Sequence, residues 1–237
     1  GEVRRELRFG AGAALAAIPP IARRDHPLTQ LWLQRMALAS AEVVARMQGR
    51  AEDAAALRDH LYLTRPGDDP GPAGRLLQAW RALAAGSSRG PSSLNADWPV
   101  VPGELLAIAI DAPAREAMDT ALAAGIGRHN PVAAAGSTMA TSLKLRPDSR
   151  ALALWLADAV LARRLNWPRP VPLLAAHLKR EDFRLASGPH ADPLAWREAS
   201  ARARGPGASA AFGPYRDLAR RAGPPPAGGA RLPGQEG

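Results

Sequence analysis

The residues best suited to chemistry lie in the stretch LTRPGDDPGPAGR, positions 63–75, between two segments with helical periodicity. Two adjacent carboxylates, two arginines and an upstream histidine are the candidates: Asp68, Asp69, Arg65, Arg75 and His60. A carboxylate and an imidazole can share acid–base work when the loop that carries them borders a concave pocket. One hypothesis is therefore an enzyme of unknown reaction with its site around the Arg65–Arg75 loop.

The same loop has a structural interpretation, which we favour. Asp69 followed by Pro70 fits the cap and the first position of a helix, because a carboxylate accepts free amide protons and proline has none to lose. Gly67 permits a left-handed turn. Arg75 is close enough in sequence to pair with an aspartate, and Trp80 lies on the apolar stripe of the helix that follows.

A second distinctive stretch is ALALWLADAVLARRLNWPRPVPLLA, positions 151–175. Its unusual side chains are two tryptophans, an aspartate and two arginines: Trp155, Trp167, Asp158, Arg163 and Arg169. The proline-rich part, NWPRPVPLL, is either a polyproline II ligand for an aromatic groove or a rigid corner. We favour the corner, with Trp167 filling the core, because prolines commonly mark the end of a helix.

The sequence lacks the motifs of known chemistries. It has no cysteine, and no pair of its histidines has the spacing of a helical zinc site. GIGRHN lacks the third glycine of a dinucleotide fingerprint, and neither a GxxxxGK[ST] phosphate loop nor a GxSxG elbow occurs. His60 is predicted to be a partly buried, hydrogen-bonded helix residue. We predict no cofactor and no metal, and we favour a protein without catalytic activity.

Apolar residues recur at helical spacing along most of the chain and predict an all-α fold, an irregular bundle of about 8–10 helices. One such stripe consists of Leu28, Leu31, Trp32, Met36, Ala39, Val43 and Met47, and Gly49 is predicted to end that helix. The stripe after the loop consists of Ala73, Leu76, Leu77, Trp80 and Leu83, and further helices are predicted to begin at Asn130-Pro131 and at Pro147-Asp148. These helices must position any site that the loop or the second stretch forms.

The segment at 86–103 is rich in Gly, Ser and Pro, and predicts a linker between an N-terminal helical half, 1–85, and a C-terminal half, 104–222. Residues 223–237, GPPPAGGARLPGQEG, are predicted to be disordered because they contain almost no apolar side chains. No run of about 18 apolar residues occurs, so no membrane association is predicted. The absence of cysteine fits a cytoplasmic protein.

The chain carries a net charge of +9, and arginine supplies all its positive side chains except Lys144 and Lys179. Clustered arginines would indicate a nucleic-acid partner, because they neutralise phosphates. Here the charge is spread along the chain, which makes the nucleic-acid interpretation weak without excluding it. Protein partners and self-association are the other possibilities.

Three stretches together resemble an alphaproteobacterial family of domains of unknown function, numbered fourteen-oh-three. They are EDAAALRDHLYLTRPGDDPGPAGRLLQAWRALA at 52–84, the stretch at 151–175, and FGPYRDLARRA at 212–222, and the similarity covers residues 7–222. The resemblance implies no established activity and no catalytic residues. It also implies that family members continue beyond DLARRA into helices with a basic, winged-helix-like end, which suggests nucleic-acid association.

In this sequence the family pattern stops at Ala222 and gives way to the tail at 223–237. We therefore predict a truncated or frame-shifted family member. The leading functional hypothesis is a non-catalytic helical interaction or regulatory protein, DNA-associated in its full-length form. Besides the enzyme, a second alternative is a structural oligomer subunit, in which exposed apolar stripes would form the interface.

Overall fold

The computed structural model of the chain describes residues 27–85, 100–109, 111–126, 130–167, 169–177, 217–218 and 220. These residues contain eight α-helices and no strand, so the predicted all-α fold is confirmed. In chain order the helices are α1 (Pro27–Met47), α2 (Ala54–Tyr62), α3 (Gly71–Ala85), α4 (Val100–Leu105), α5 (Ala112–Ile126), α6 (Pro131–Leu145), α7 (Arg150–Arg164) and α8 (Leu174–His177). No helix within this described part is long and apolar enough to cross a membrane. The predicted disordered tail, 223–237, lies outside it.

α1 ends where the sequence predicts, at a glycine with a left-handed conformation. Gly49 has φ +76°, its N–H donates to the Arg46 carbonyl oxygen at 3.1 Å, and the Arg50 N–H donates to that of Ala45 at 3.0 Å. This pair of hydrogen bonds is a Schellman motif, which satisfies carbonyl groups that the last helical turn leaves free.

The stripe predicted along α1 is only partly correct, because Leu28, Ala39, Val43 and Met47 are half-buried. Trp32 and Met36 are buried, whereas Leu31 is 41% exposed. Neighbouring residues on a helix point about 100° apart, and the side of α1 that buries Trp32 therefore leaves Leu31 towards solvent.

α2 and α3 meet at a corner that contains one close approach between the two helices. α2 begins after Asp53, whose Oδ1 accepts the Ala56 N–H at 2.8 Å. A Cβ atom added at Gly74 of α3 would lie 2.4 Å from the Pro70 Cβ and 3.4 Å from the His60 carbonyl oxygen. Glycine therefore allows the start of α3 to lie against Pro70 and the end of α2. The predicted α3 stripe is confirmed as buried: Ala73, Leu76, Leu77, Trp80 and Leu83.

α7 is the central helix of the described fold. Every residue from Ala151 to Ala162 is buried, and α7 contacts α3, α4, α5, α6 and α8. A helix buried on all sides belongs to the interior. α7 begins at Arg150 and not at the predicted Pro147–Asp148, because the chain first forms a turn closed by the Ser149 N–H and the Arg146 carbonyl oxygen at 3.1 Å. α6 begins as predicted at Pro131, after an Asn130 cap.

One hydrophobic core includes side chains from α1, α2 and α3 as well as from α5, α6, α7 and α8. Helices from both sides of the predicted linker therefore contribute to the same cluster. Residues 86–99 of that linker lie outside the described residues, and residues 100–103 form the start of α4. The boundaries of the two halves stay a prediction.

Candidate functional site

The candidate loop at 63–75 reverses the chain between α2 and α3. The Asp68 N–H donates to the Arg65 carbonyl oxygen at 3.0 Å, and Gly67, with φ +94°, has the predicted left-handed conformation. The side chains of Arg65 and Asp68 are exposed. This half of the loop is a surface turn.

Asp69 connects the turn to the start of α3. Its Oδ1 accepts the Gly71 N–H at 2.9 Å and its Oδ2 accepts a hydrogen bond from Arg75 Nη1 at 2.7 Å, which confirms the predicted pairing with Arg75. α3 begins at Gly71, however, so Pro70 precedes the helix instead of occupying its first position. Gly71 has φ +71°, outside the right-handed helical range, and the Asp69 carboxylate closes an Asx turn at the boundary of α3.

The two other candidates near this loop, His60 and Trp80, lie in different environments. The His60 side chain on α2 is exposed, so its predicted partial burial is wrong; α2 turns Leu57 inward instead. Trp80 is fully buried in the core. No hydrogen bond or ion pair joins His60 to Asp68 or Asp69, and no group of three or more metal-ligating side chains occurs among the described residues. The loop candidates are not assembled into one constellation.

In the second stretch, Asp158 is a buried anchor between α7 and α8. The side chain is fully buried, and its carboxylate accepts the N–H groups of Leu173 and Leu174, each at 3.2 Å. Because α8 begins at Leu174, the negative charge lies at the positive end of that short helix. Asp158 therefore satisfies amides that would otherwise be buried without acceptors.

Two further hydrogen bonds fix the surroundings of α7. The Trp155 indole Nε1–H donates to the Ala79 carbonyl oxygen of α3 at 3.0 Å. The Ser40 hydroxyl of α1 donates to the Pro172 carbonyl oxygen at 3.4 Å. The central helix and the proline-containing segment are thereby joined to the two long N-terminal helices.

The end of α7 forms the rigid corner that the prolines predict. Asn166 has φ +51°, and the Trp167 N–H donates to the Ala162 carbonyl oxygen at 2.9 Å, as in a Schellman motif. Trp167 is 3% exposed and belongs to the core, so its predicted role is confirmed. Arg163 and Arg169 are half-buried on either side of this corner. The motif therefore explains a turn of the fold.

Sequence reasoning missed a surface feature at the end of α2. Tyr62 and Leu63 are 61% and 79% exposed. Arg81 of α3 holds Tyr62, because Nη1 donates to Tyr62 Oη at 2.9 Å and the guanidinium carbon lies 5.3 Å from the ring centroid. A signal was present in the sequence: Leu57 and Leu61 supply the apolar stripe of α2, and Tyr62 and Leu63 fall outside it.

A cleft of about 250 Å³ lies beside Arg81, between α1 and α3. Its lining combines small apolar side chains with two amides: Gln30, Leu33, Gln34, Arg81, Ala82, Ala84 and Ala85. Arg81 is therefore shared between this cleft and Tyr62. The exposed pair Tyr62 and Leu63 is therefore connected to this cleft through Arg81.

A larger cleft, of about 350 Å³, lies among the end of α1, the end of α4 and the start of α7. Val44, Met47, Leu106 and Ile108 supply apolar lining, and Arg150 supplies charge. No residue of the loop at 63–75 lines either of these clefts. Neither of these two clefts therefore borders Asp68 or Asp69, the two residues suggested for acid–base chemistry.

Comparison with known proteins identifies the family. No curated protein and no solved structure gives a significant match to the chain. A family model described as "Protein of unknown function (DUF1403)" matches residues 2–226, a range that includes α1 to α8 and both distinctive stretches. Because this match spans nearly the whole sequence, the chain belongs to the DUF1403 family of proteins of unknown function.

Proposed function

We propose that this chain is a non-catalytic helical interaction protein that binds a protein partner at the end of α2. The observation that carries the proposal is the exposed pair Tyr62 and Leu63, with Tyr62 fixed by Arg81. Aromatic side chains are common binding anchors, and a side chain already held in one orientation loses little entropy when a partner docks. We call the exposed residues around this pair the α2-end surface: Arg58, Asp59, Tyr62, Leu63, Arg65 and Asp68.

The distribution of charge supports a protein partner for this surface. The described residues carry 15 basic and 13 acidic side chains, which is +2 of the total net charge of +9. Nucleic-acid binding depends on an excess of positive charge that displaces counterions from phosphates. The helical body has little such excess, whereas an aromatic and a leucine side chain suit a protein contact.

The enzyme hypothesis for the Arg65–Arg75 loop receives less support. Gly71 and Arg75 occupy the two carboxylate oxygens of Asp69, and Asp68 lies exposed on a turn. General acid–base catalysis needs a carboxylate within reach of a bound substrate. The hydrogen bonds of Asp69 instead give this residue a role in connecting α2 with α3.

Site-specific photo-crosslinking in the native host tests the proposed surface. A benzophenone amino acid would replace Leu63, and in a matched control it would replace Leu145, which is 42% exposed at the end of α6. We expect a protein adduct from position 63 and none from position 145. Absence of any adduct at 63, or the same adducts from both positions, would remove the basis of the proposal.

Narrower proposals concern the protein in its cell. We place it in the cytoplasm of an alphaproteobacterium and assign DNA association to a longer form that carries the basic segment implied by the family resemblance. Fluorescence anisotropy with a labelled duplex should show tight binding of the longer form that weakens steeply with salt, and weak binding of the present chain. Equal, salt-insensitive binding of both forms would contradict the DNA assignment.

A further inference from the structure

We propose that the partner at the α2-end surface is a second copy of this chain, docked about a two-fold axis. The inference rests on the proposed function, because it names the partner for the same surface. Three properties of the surface carry it: its unpaired charges, the balance of their signs, and a recess beside its apolar projection.

The first property is the set of exposed charges that no side chain of the described structure neutralises. Arg58, Asp59, Arg65 and Asp68 are exposed and form no ion pair within the described residues. Other arginines in the same part of the chain do have carboxylate partners, among them Arg46 with Glu42, Arg50 with Glu52 and Arg75 with Asp69. The α2-end surface is thus a place where opposite charges lie close in sequence without pairing.

The second property is that these four charges are balanced, two positive and two negative. A surface with an excess of one sign would select a partner of the opposite sign. A balanced surface is complementary to itself, since a two-fold axis lets the arginines of one copy meet the aspartates of the other. Around the axis every such contact occurs twice.

The third property is the recess beside the projection. Leu63 and Tyr62 are exposed at the end of α2, and Arg81, which donates to Tyr62, also lines the cleft of about 250 Å³ together with Leu33 and three alanines. In a two-fold arrangement the apolar projection of each copy can enter the recess of the other. The apolar contact would then supply binding energy and the rim charges would set the orientation.

Analytical ultracentrifugation of the full chain over a range of concentrations tests the inference. We expect a reversible monomer–dimer equilibrium. Leu63→Asp should weaken dimerisation more than about tenfold, as expected for a central interface side chain. The matched control, Leu145→Asp, changes a leucine that is 42% exposed elsewhere and should leave the equilibrium unchanged. Thermal melting of each variant checks that the fold is retained.

A pair of charge variants makes the test specific to a second copy. Arg58→Glu with Arg65→Glu gives an all-negative surface, and Asp59→Arg with Asp68→Arg gives an all-positive one. Each variant alone should stay monomeric, because like charges would meet across the axis, whereas an equimolar mixture should form heterodimers.

A wild-type chain that is monomeric at every concentration would overturn the inference, as would charge variants that dimerise alone as well as the wild type does. If the same monomeric chain still gave a crosslinked adduct with another protein from position 63, the proposed function would stand without the second copy. Loss of both results would remove both proposals.

Discussion

Two of the three stretches on which the family resemblance rests place their polar side chains in opposite ways. The stretch at 151–175 places Asp158 and Trp155 inside the fold, where each makes hydrogen bonds to backbone groups of another segment. The stretch at 52–84 places most of its distinctive polar side chains at the surface, where Asp69 pairs with Arg75 and four other charges pair with nothing in the described chain. Both stretches supply apolar side chains to the core, but Asp158 and Trp155 form their hydrogen bonds inside the fold, whereas the charged side chains at 52–84 lie mostly towards solvent.

This difference separates residues that the fold requires from residues that it does not. A buried carboxylate with two amide donors has a structural role, because its removal would leave those amides unsatisfied. An exposed Tyr62 and Leu63, with unpaired charges around them, contribute little to the core. A function that depends on contact with another molecule is therefore better sought in the stretch at 52–84. Residues that stabilise the fold are better sought in the stretch at 151–175.

The largest effect is expected at Asp158, which tests whether the second stretch is essential to stability. Asp158→Ala removes the acceptor for the Leu173 and Leu174 N–H groups in the interior. We expect the free energy of unfolding to fall by about 3 kcal/mol, since each unsatisfied buried donor costs roughly 1–3 kcal/mol. Urea denaturation followed by circular dichroism measures this. Asp158→Asn keeps one acceptor oxygen and should lose less; a loss below about 1 kcal/mol in the alanine variant would contradict the anchor.

The next effect compares two buried tryptophans, one from each stretch. Trp155 donates its indole N–H to the Ala79 carbonyl oxygen, whereas the Trp80 indole N–H makes no hydrogen bond within the described residues. Replacement by phenylalanine removes similar volume at both positions, but a hydrogen bond only at Trp155. We expect Trp155→Phe to lower the free energy of unfolding by about 1 kcal/mol more than Trp80→Phe. Equal losses in parallel urea titrations would show that the bond to Ala79 adds nothing.

Sequence reasoning succeeds in this molecule where a signal and its partner are neighbours in the chain. Gly49 ends α1 and Asn130 begins α6 because a cap acts on amides or carbonyls only a few residues away. The same reasoning finds the pairing of Asp69 with Arg75. Sequence reasoning places the start of α3 one position too early, at Pro70, because a left-handed glycine such as Gly71 cannot be distinguished in sequence from a helical one.

Interactions between distant segments could not be predicted from a single sequence. Trp155 and Ala79 are separated by 76 residues, and Asp158 and Leu173 by 15, with a corner between them. Nothing local identifies those backbone partners. The exposure of Tyr62 could have been predicted from the stripe of α2, but the position of Arg81 over its ring depends on how α2 packs against α3. The α2-end surface was therefore found only in the structure.

A smaller effect on stability is expected at Asp69, which lies in the surface loop between α2 and α3. Asp69→Ala removes the acceptor for the Gly71 N–H and the partner of Arg75. The free energy of unfolding should fall by about 1 kcal/mol, because water can solvate the freed groups and the loss resembles that of a helix cap. Asp68→Ala is the control in the same turn and should change stability by less than about 0.5 kcal/mol. Equal melting curves for wild type and Asp69→Ala would refute the structural role of the loop.

The smallest effect is a dependence on pH that belongs to the 151–177 region. His177 is half-buried at the end of α8, and burial lowers the pKa of its imidazole below the ordinary value of 6.5. Because the folded chain then binds this proton less tightly than the unfolded chain, the contribution to stability is complete above pH 6.5 and is lost as the pH falls through the folded pKa. Urea titrations at pH values on either side of 6.5 should therefore show a loss of stability in acid that His177→Gln reduces. A variant with the same pH dependence as the wild type would mean that His177 is solvated in the folded chain, and the corner anchored by Asp158 would then be more open to water than its hydrogen bonds indicate.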